Sequence, residues 1–340
     1  MDSFLILGIP IVLWLQNLGG WLVGLANFFS ALGIEQFFLL VAPAAFWCLD
    51  PVFGLRLGIG MLASSATNSI LKLILHGPRP YWVDPKVKAL SSEISFGAPS
   101  GHAQTGVVVW GLAAQRINNR WAWGLAIFTM IMIGIARMYL GVHFPSDVLI
   151  GWLIGGLLLW MMIRFEKPFL NWFKGFSAGI QSLIACAASL ALIAGGYLAR
   201  AALNGLELPE SWLELSGRAP EAAPINPLSL SGVITPAASL FGFALGAILL
   251  YHSGWLDVSG PIWQRLLRYL IGVAGVFLIW AGLDRIFPEG ETLIPYVFRY
   301  LRYALVGLWV SFLAPLLFIR MKLAKPILPF GRQAPSAGRR

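Results

Sequence analysis

The sequence predicts an all-α, polytopic transmembrane helical bundle. Three observations carry that prediction. Hydrophobic residues make up 58% of the 340 and charged residues only 11%. Mean hydropathy is +0.76. Apolar runs of spanning length recur along the whole chain. Soluble domains carry roughly 25% charged residues, so a surface this poor in charge has the bilayer as its main solvent. In lipid the backbone is satisfied only within helices or closed barrels, and no strand-like alternation is present to build a barrel.

Taken in order, the stretch 4–31 is interrupted by Gln16, Asn17, Gly19 and Gly20, and either crosses or lies partly in the interface. The run 34–49 is short, with Glu35 at its edge. Longer runs follow at 52–76, 101–117, 121–140, 146–164, 178–203, 231–252, 265–286 and 294–319, several near the ~20 residues that a spanning helix needs. Nine or ten spans are therefore expected. Met1–Pro10 has neither a basic leading region nor a small-residue cleavage site, so no removable signal peptide is read there. The stretch after Lys325, with Pro326, Pro329 and Pro335, reads as disordered or surface-bound.

The net charge of +9 sits in short clusters between apolar runs. Arg116 and Arg120 flank one connection, Arg164, Lys167 and Lys174 another, and Arg320, Lys322 and Lys325 begin the tail. Alternating crossings put all three clusters on one side, which the positive-inside bias makes cytoplasmic. Glu207, Glu210, Glu214, Glu221, Asp284, Glu289 and Glu291 fall on the other side. No zinc-finger spacing and no basic helix with stacking aromatics is present, so nucleic acid is excluded as a partner. Cys48 and Cys186 stand in separate apolar runs, with no metal spacing and no disulfide framework.

Polar residues of three kinds meet on the outer side between 72 and 147. Lys72 is near the end of one span, followed by Arg79 and Pro80. Pro99, Ser100, Gly101 and His102 open another. Arg137 stands near the outer end of a third, with His143 and Asp147 beyond it. Alone, each piece has a plainer reading: Lys72 as a cation reaching for the interface, Ser100 as a helix start, a single histidine as structural. Together, three blocks of ten fixed residues arise by chance at a rate on the order of 10⁻⁶.

These blocks resemble the three-part motif of the type 2 phosphatidic acid phosphatase superfamily, which also takes in glucose-6-phosphatase and the vanadium haloperoxidases, and the chain is closest in character to the membrane lipid phosphatases. Ala136 departs from the serine that usually precedes the third-block arginine. The resemblance implies a six-span phosphatase core over 1–170; the apolar runs beyond it give additional helices of unknown role over 171–320, a four-span extension, and the cations a basic cytoplasmic tail over 321–340. It implies His143 as the nucleophile, forming a phosphohistidine, Asp147 as the acid orienting it, and His102 as the proton donor to the leaving group and activator of water. It implies Lys72, Arg79, Ser100, Gly101 and Arg137 as the phosphate-binding set, with no metal and no cofactor.

The residue types suit that chemistry. Two planar guanidinium groups and an ammonium match a phosphoryl group's oxygens. A helix N-terminus after Pro99 offers free N–H groups to an anion. Ionisable side chains this close to hydrocarbon point to function. A metal held by His143 and Asp147 lacks further acid or cysteine ligands.

His76 lies within the first block's spacer, and an interfacial or supporting role is expected for it. His252, on the cytoplasmic side, reads as structural. Lys86 and Lys88 stand in the loop between Pro80 and Pro99, where a second phosphate or an acidic headgroup would meet them. Arg299 and Arg302 either reach for the interface or pair with Asp284. The substrate expected is a lipid phosphate or lipid diphosphate held by the bilayer, in a bacterial inner membrane with the site towards the periplasm or exterior. Transfer to a lipid acceptor instead of water, and a phosphate-binding lipid transporter, are the competing readings.

Overall fold

The computed structural model describes residues 8–33 and 35–327, without the side chains of 35–39. Residues 4–7 of the first apolar stretch, and the tail's Pro329, Arg332, Pro335, Ser336, Arg339 and Arg340, lie outside the described residues. The architecture is helical, with two short strands, β1 (Trp255–Asp257) and β2 (Lys325–Ile327), paired antiparallel.

Helices follow as α1 (Ile9–Asn17), α2 (Val23–Ala31), α3 (Glu35–Ala44), α4 (Pro51–Leu75), α5 (Pro80–Val83), α6 (Gly101–Ile117), α7 (Arg120–Tyr139) and α8 (Pro145–Lys174). Then come α9 (Ala178–Ala201), α10 (Glu210–Ser216), α11 (Ser231–Ser253), α12 (Ile262–Asp284), α13 (Leu293–Leu308) and α14 (Ala314–Arg320). Among the described residues, seven helices or continuous helical runs are long and apolar enough to cross a membrane, and eight if the bent pair α1–α2 is one span.

The nine or ten spans expected differ from this count at identifiable places. The run 34–49 yields only a short apolar helix, Leu40–Leu49. Helix α6 has 17 residues, which at about 1.5 Å each falls short of a ~30 Å hydrocarbon core. The stretch 4–31 bends by 93°. Gly19 makes that bend at φ +114°, a backbone region open to glycine. Gln16, which interrupts the apolar pattern, is buried and clamps a loop: its Nε2 donates to the carbonyls of Lys88 (2.8 Å) and Tyr139 (3.0 Å), and its Oε1 accepts from Lys88 N–H (3.0 Å).

Large side chains such as Trp121 (76% exposed), Leu153 (73%) and Leu183 (70%) face outwards. Leaving each in water would forfeit about 1.5–3 kcal/mol; lipid removes that penalty.

The chain divides into two compact units. The first comprises 1–38, 60–166 and 191–234. In it α6 and α7 form a tight antiparallel pair joined by Asn118 and Asn119. Asn118 closes α6 in the left-handed region (φ 55°), and the Asn119 side chain caps α7 by accepting from Ala122 N–H at 2.8 Å. Helix α8 approaches α6 through small residues at helical spacing. A Cβ at Gly151 would stand 2.7 Å from the Ser100 carbonyl oxygen, and one at Gly155 2.5 Å from that of Gln104. This Gly-x-x-x-Gly face lets two backbones touch, which sets the distance between the start of α6 and the start of α8.

The second unit comprises 39–59, 167–190 and 235–340. Trp47 is fully buried, its Nε1 donating to Val310 O at 2.8 Å. Buried Arg268 donates to the carbonyls of Val258 (2.6 Å) and Leu323 (3.0 Å), tying together the segments that carry the two strands. His252 meets Gln181 Oε1 at 3.0 Å, a structural contact. Arg302 pairs with Asp284, resolving one of the two readings of that arginine.

Gly155→Ala is expected to cost about 1–3 kcal/mol through overpacking against the α6 backbone. Gly156→Ala, where an added Cβ meets nothing within 4 Å, should be neutral or slightly stabilising. Thermal unfolding of the two variants in detergent measures the difference.

Candidate active site

Four helix ends converge in the first unit. Lys72 lies in the last turn of α4, His102 in the first turn of α6, Arg137 in the last turn of α7 and Asp147 in the first turn of α8. Arg79 immediately precedes α5, where Pro80 occupies the first helical position and forfeits no hydrogen bond. His143 stands in the turn between α7 and α8. Gly141 makes that turn at φ +78°, and any Cβ there would come within 2.5 Å of the Lys88 carbonyl.

His143 is buried and held from both sides. Its Nδ1 lies 3.3 Å from Asp147 Oδ2, and the same oxygen accepts from Phe144 N–H at 2.9 Å. Its Nε2 lies 3.5 Å from Arg79 Nη1. An imidazole donating from Nδ1 to a carboxylate leaves its lone pair on Nε2, the arrangement a nitrogen nucleophile needs. Burial first, then Arg79, Arg137, Lys72 and His102, push the His143 imidazole well below the ordinary histidine range, which favours the neutral ring, with its Nε2 turned to the Arg79 guanidinium.

Arg79 is completely buried and also binds the chain itself. It donates to the carbonyls of Ser95 (2.8 Å), Phe96 (3.0 Å) and Val142 (2.9 Å), locking the loop before α6 onto the turn that carries His143. Lys72 Nζ donates to Ser95 Oγ at 2.8 Å. Arg137 donates to Ser30 Oγ at 2.9 Å.

Lys72, Gly101, His102, Arg137 and His143 line one cavity of about 660 Å³. His102 Nε2 has no hydrogen-bond partner among the described residues. Arg79 and Asp147 stand behind His143, outside the cavity wall. Ser100 is fully buried as the cap of α6, its Oγ accepting from Ala103 N–H at 3.5 Å, and it too lies outside the wall. Gly101 is required by packing: a Cβ there would stand 2.9 Å from Asn68 Oδ1, and Asn68 is tied to Gln104 Oε1 (2.9 Å) and Pro99 O (3.2 Å). His76, Lys86 and Lys88 do not line the cavity; the His76 ring rests against Phe96 instead.

One site residue escaped sequence reasoning. Glu93, in the loop before α6, lines the cavity and pairs with Arg137; its Oε2 lies 3.6 Å from Arg79 Nη2. The Tyr81 hydroxyl fixes this loop, donating to Glu93 O at 3.2 Å and accepting from Glu93 N–H at 3.1 Å. Burial opposes ionisation of the Glu93 carboxyl, but Arg79, Arg137, Lys72 and His102 outweigh it and hold the group well below the usual carboxylate range. The signal in the sequence was slight: an acid among Ser91, Ser92 and Ser95, outside the three blocks.

Comparison with protein families matches residues 53–170 to the PAP2 superfamily, and residues 234–326 to the PAP2 superfamily phosphatase transmembrane extension. The chain belongs to the PAP2 superfamily. All three blocks of this PAP2 chain fall within the first match. Human glucose-6-phosphatase 3 is 29% identical, over 93% of this chain and 95% of the relative. Undecaprenyl-diphosphatase of Sulfolobus acidocaldarius is 29% identical, over 42% of this chain and 70% of the relative. Phosphatidylglycerophosphatase B of Bacillus subtilis is 30% identical, over 32% of this chain and 58% of the relative.

Glu93→Gln removes the negative charge between two buried guanidinium groups. Its side chain is 25% exposed, so the expected loss, about 1–3 kcal/mol, is below the ~3–5 of a fully enclosed pair. Inorganic phosphate should raise the Tm of this variant by more than it raises that of the wild type, since phosphate then supplies the missing charge.

His143 and Glu93 each make stability depend on pH. His143 is neutral when folded but takes up a proton when unfolded below about pH 6.5, so stability rises with pH up to about that value. Glu93 contributes stability that is complete above about pH 4.3 and is lost as pH falls towards its depressed folded value. A Tm–pH series should therefore decline below about 6.5, and His143→Gln should reduce that upper step.

Proposed function

We propose that the chain is a membrane phosphatase that hydrolyses a lipid phosphate or lipid diphosphate at the non-cytoplasmic face through a phosphohistidine at His143, without a metal. The observation that carries this reading is the pair of histidines with different surroundings. His143 is buried, backed by Asp147 and adjacent to Arg79, whereas His102 lines the same cavity and its Nε2 has no hydrogen-bond partner among the described residues.

In the proposed sequence His102 enters as the imidazolium, its charge offset by the oxygens of the bound phosphate ester; His143 Nε2 attacks phosphorus, the P–O bond to the leaving group breaks, and His102 protonates the departing oxygen. His102 then takes a proton from water, whose oxygen attacks phosphorus. The P–N bond breaks, releasing phosphate and restoring neutral His143. Lys72 and Arg137 meet the charge that develops on the phosphoryl oxygens, and Arg79 acts from beside the imidazole, which is the work a metal would otherwise do.

The lipid reading draws on relatives named for undecaprenyl diphosphate and phosphatidylglycerophosphate. The non-cytoplasmic face follows from the basic clusters, Arg116 and Arg120 standing at the ends of α6 and α7 opposite to His102 and Arg137. One observation favours a second reading, a soluble sugar phosphate: similarity to glucose-6-phosphatase 3 runs through nearly the whole of both chains, whereas the lipid phosphatases match a third to two-fifths of this one.

Phosphate release in detergent with EDTA, from a panel of lipid phosphates and glucose 6-phosphate, decides between the two. The lipid reading expects turnover of at least one lipid and little of the sugar. His143→Ala should lower kcat by several orders of magnitude. Release that survives this substitution would remove His143 from the mechanism, and dependence on metal would refute the last part of the proposal.

A further inference from the structure

Arg137 is the guanidinium on the cavity wall, and an anion of the chain itself already holds it. Its Nη2 donates to Glu93 Oε1 and its Nη1 to Ser30 Oγ at 2.9 Å, while the buried Nε has no partner among the described residues. Arg79 is committed elsewhere. Its Nε, Nη1 and Nη2 donate to the carbonyls of Ser95, Val142 and Phe96, and Nη2 also to Ser95 Oγ at 3.2 Å. A phosphoryl group in the cavity therefore finds its guanidinium at Arg137, where the Glu93 carboxylate is already bound.

Two anions on one buried guanidinium repel each other, with little water to screen them. The surroundings decide which of them yields. The backbone of Glu93 is fixed: the Tyr81 hydroxyl bonds both its N–H and its O, and Asn226 N–H donates to Ile94 O at 3.0 Å. Its carboxylate is held by Arg137 and, more loosely, by Arg79 at 3.6 Å. The Glu93 side chain is 25% exposed and that of Arg137 only 3%. Rotation of the Glu93 side chain thus delivers its charge towards water without moving the loop, whereas the arginine has no such route.

We infer that Glu93 is a displaceable counter-ion of the phosphate site: the phosphoryl oxygens of the substrate take Arg137 from it on binding, and its carboxylate takes Arg137 back to expel inorganic phosphate after hydrolysis. The exchange keeps the buried guanidinium paired with an anion throughout, so its charge is never left uncompensated. Phosphate must win Arg137 from an attached competitor, and its affinity is lowered by the fraction of molecules in which that competitor has let go. The inference rests on the hydrolase reading above for the identity of the anion, and adds to it a step of product release.

The test uses the full chain in detergent. Isothermal titration calorimetry gives the Kd of inorganic phosphate, and its Ki as product is measured on whichever ester wild type turns over. Glu93→Gln, which keeps the shape of the side chain without its charge, should bind phosphate about tenfold or more tightly than wild type. The Ki should fall by the same factor, and kcat should fall as release slows. Glu93→Ala should shift the Kd in the same direction. A carboxylate that only orients Arg137 predicts the reverse, weaker phosphate binding in both variants; that result, or an unchanged Kd, overturns the inference. A crystal structure of wild type grown with phosphate reads the exchange with no substitution at all. Glu93 turned away from Arg137 supports it, and a retained Glu93–Arg137 pair beside bound phosphate overturns it. Wild type that releases phosphate from no ester refutes the hydrolase reading, and the comparison of Kd values still decides the exchange.

Discussion

Arg79 and Arg137 are buried cations in a protein whose main solvent is lipid, and the site is organised around keeping them charged and in place. A buried charge is tolerated only when hydrogen bonds and counter-charge surround it. Arg79 finds these in the carbonyls of Ser95, Phe96 and Val142, and both arginines find a carboxylate in Glu93. Those bonds join the loop before α6 to the turn before α8. The cation that stands beside the attacking imidazole in the proposed reaction is thus also the group that brings the two histidine-bearing segments together.

This double use explains why the site is built at helix ends. Interiors of spanning helices have no free backbone groups to offer a cation or an anion. Chain ends and turns do, and Arg79 takes carbonyls from two of them. The close approach of α6 and α8 at Gly151 and Gly155 then fixes the separation between His102 and His143 by backbone contact, with no long side chains between. Rigidity of this kind is what a two-histidine division of labour requires, because proton transfer and attack depend on placement to within fractions of an ångström.

The three blocks were legible because each uses costly residues: a cation or histidine beside hydrocarbon is conspicuous against an apolar background. Glu93 was not, since an acid in a loop has an ordinary solvated explanation and gains meaning only from the two guanidinium groups beside it. The span count departed from expectation where hydropathy and geometry part company, at the short α6, the bent α1–α2 pair and the brief apolar helix of 40–49.

By itself, then, the sequence determined the solvent, the helical class and the residues that handle charge. These follow from composition and from the cost of placing ions near lipid, and neither depends on long-range contacts. Tertiary structure decided which groups share a cavity. It set Lys72, Arg137, His102 and His143 on one wall, moved Ser100 into a capping role and Arg79 behind the imidazole, and brought Glu93 in from a loop. Those assignments rest on how closely α6 and α8 pack and on where the loops are tied, and close approach between distant segments is a property that local pattern does not encode.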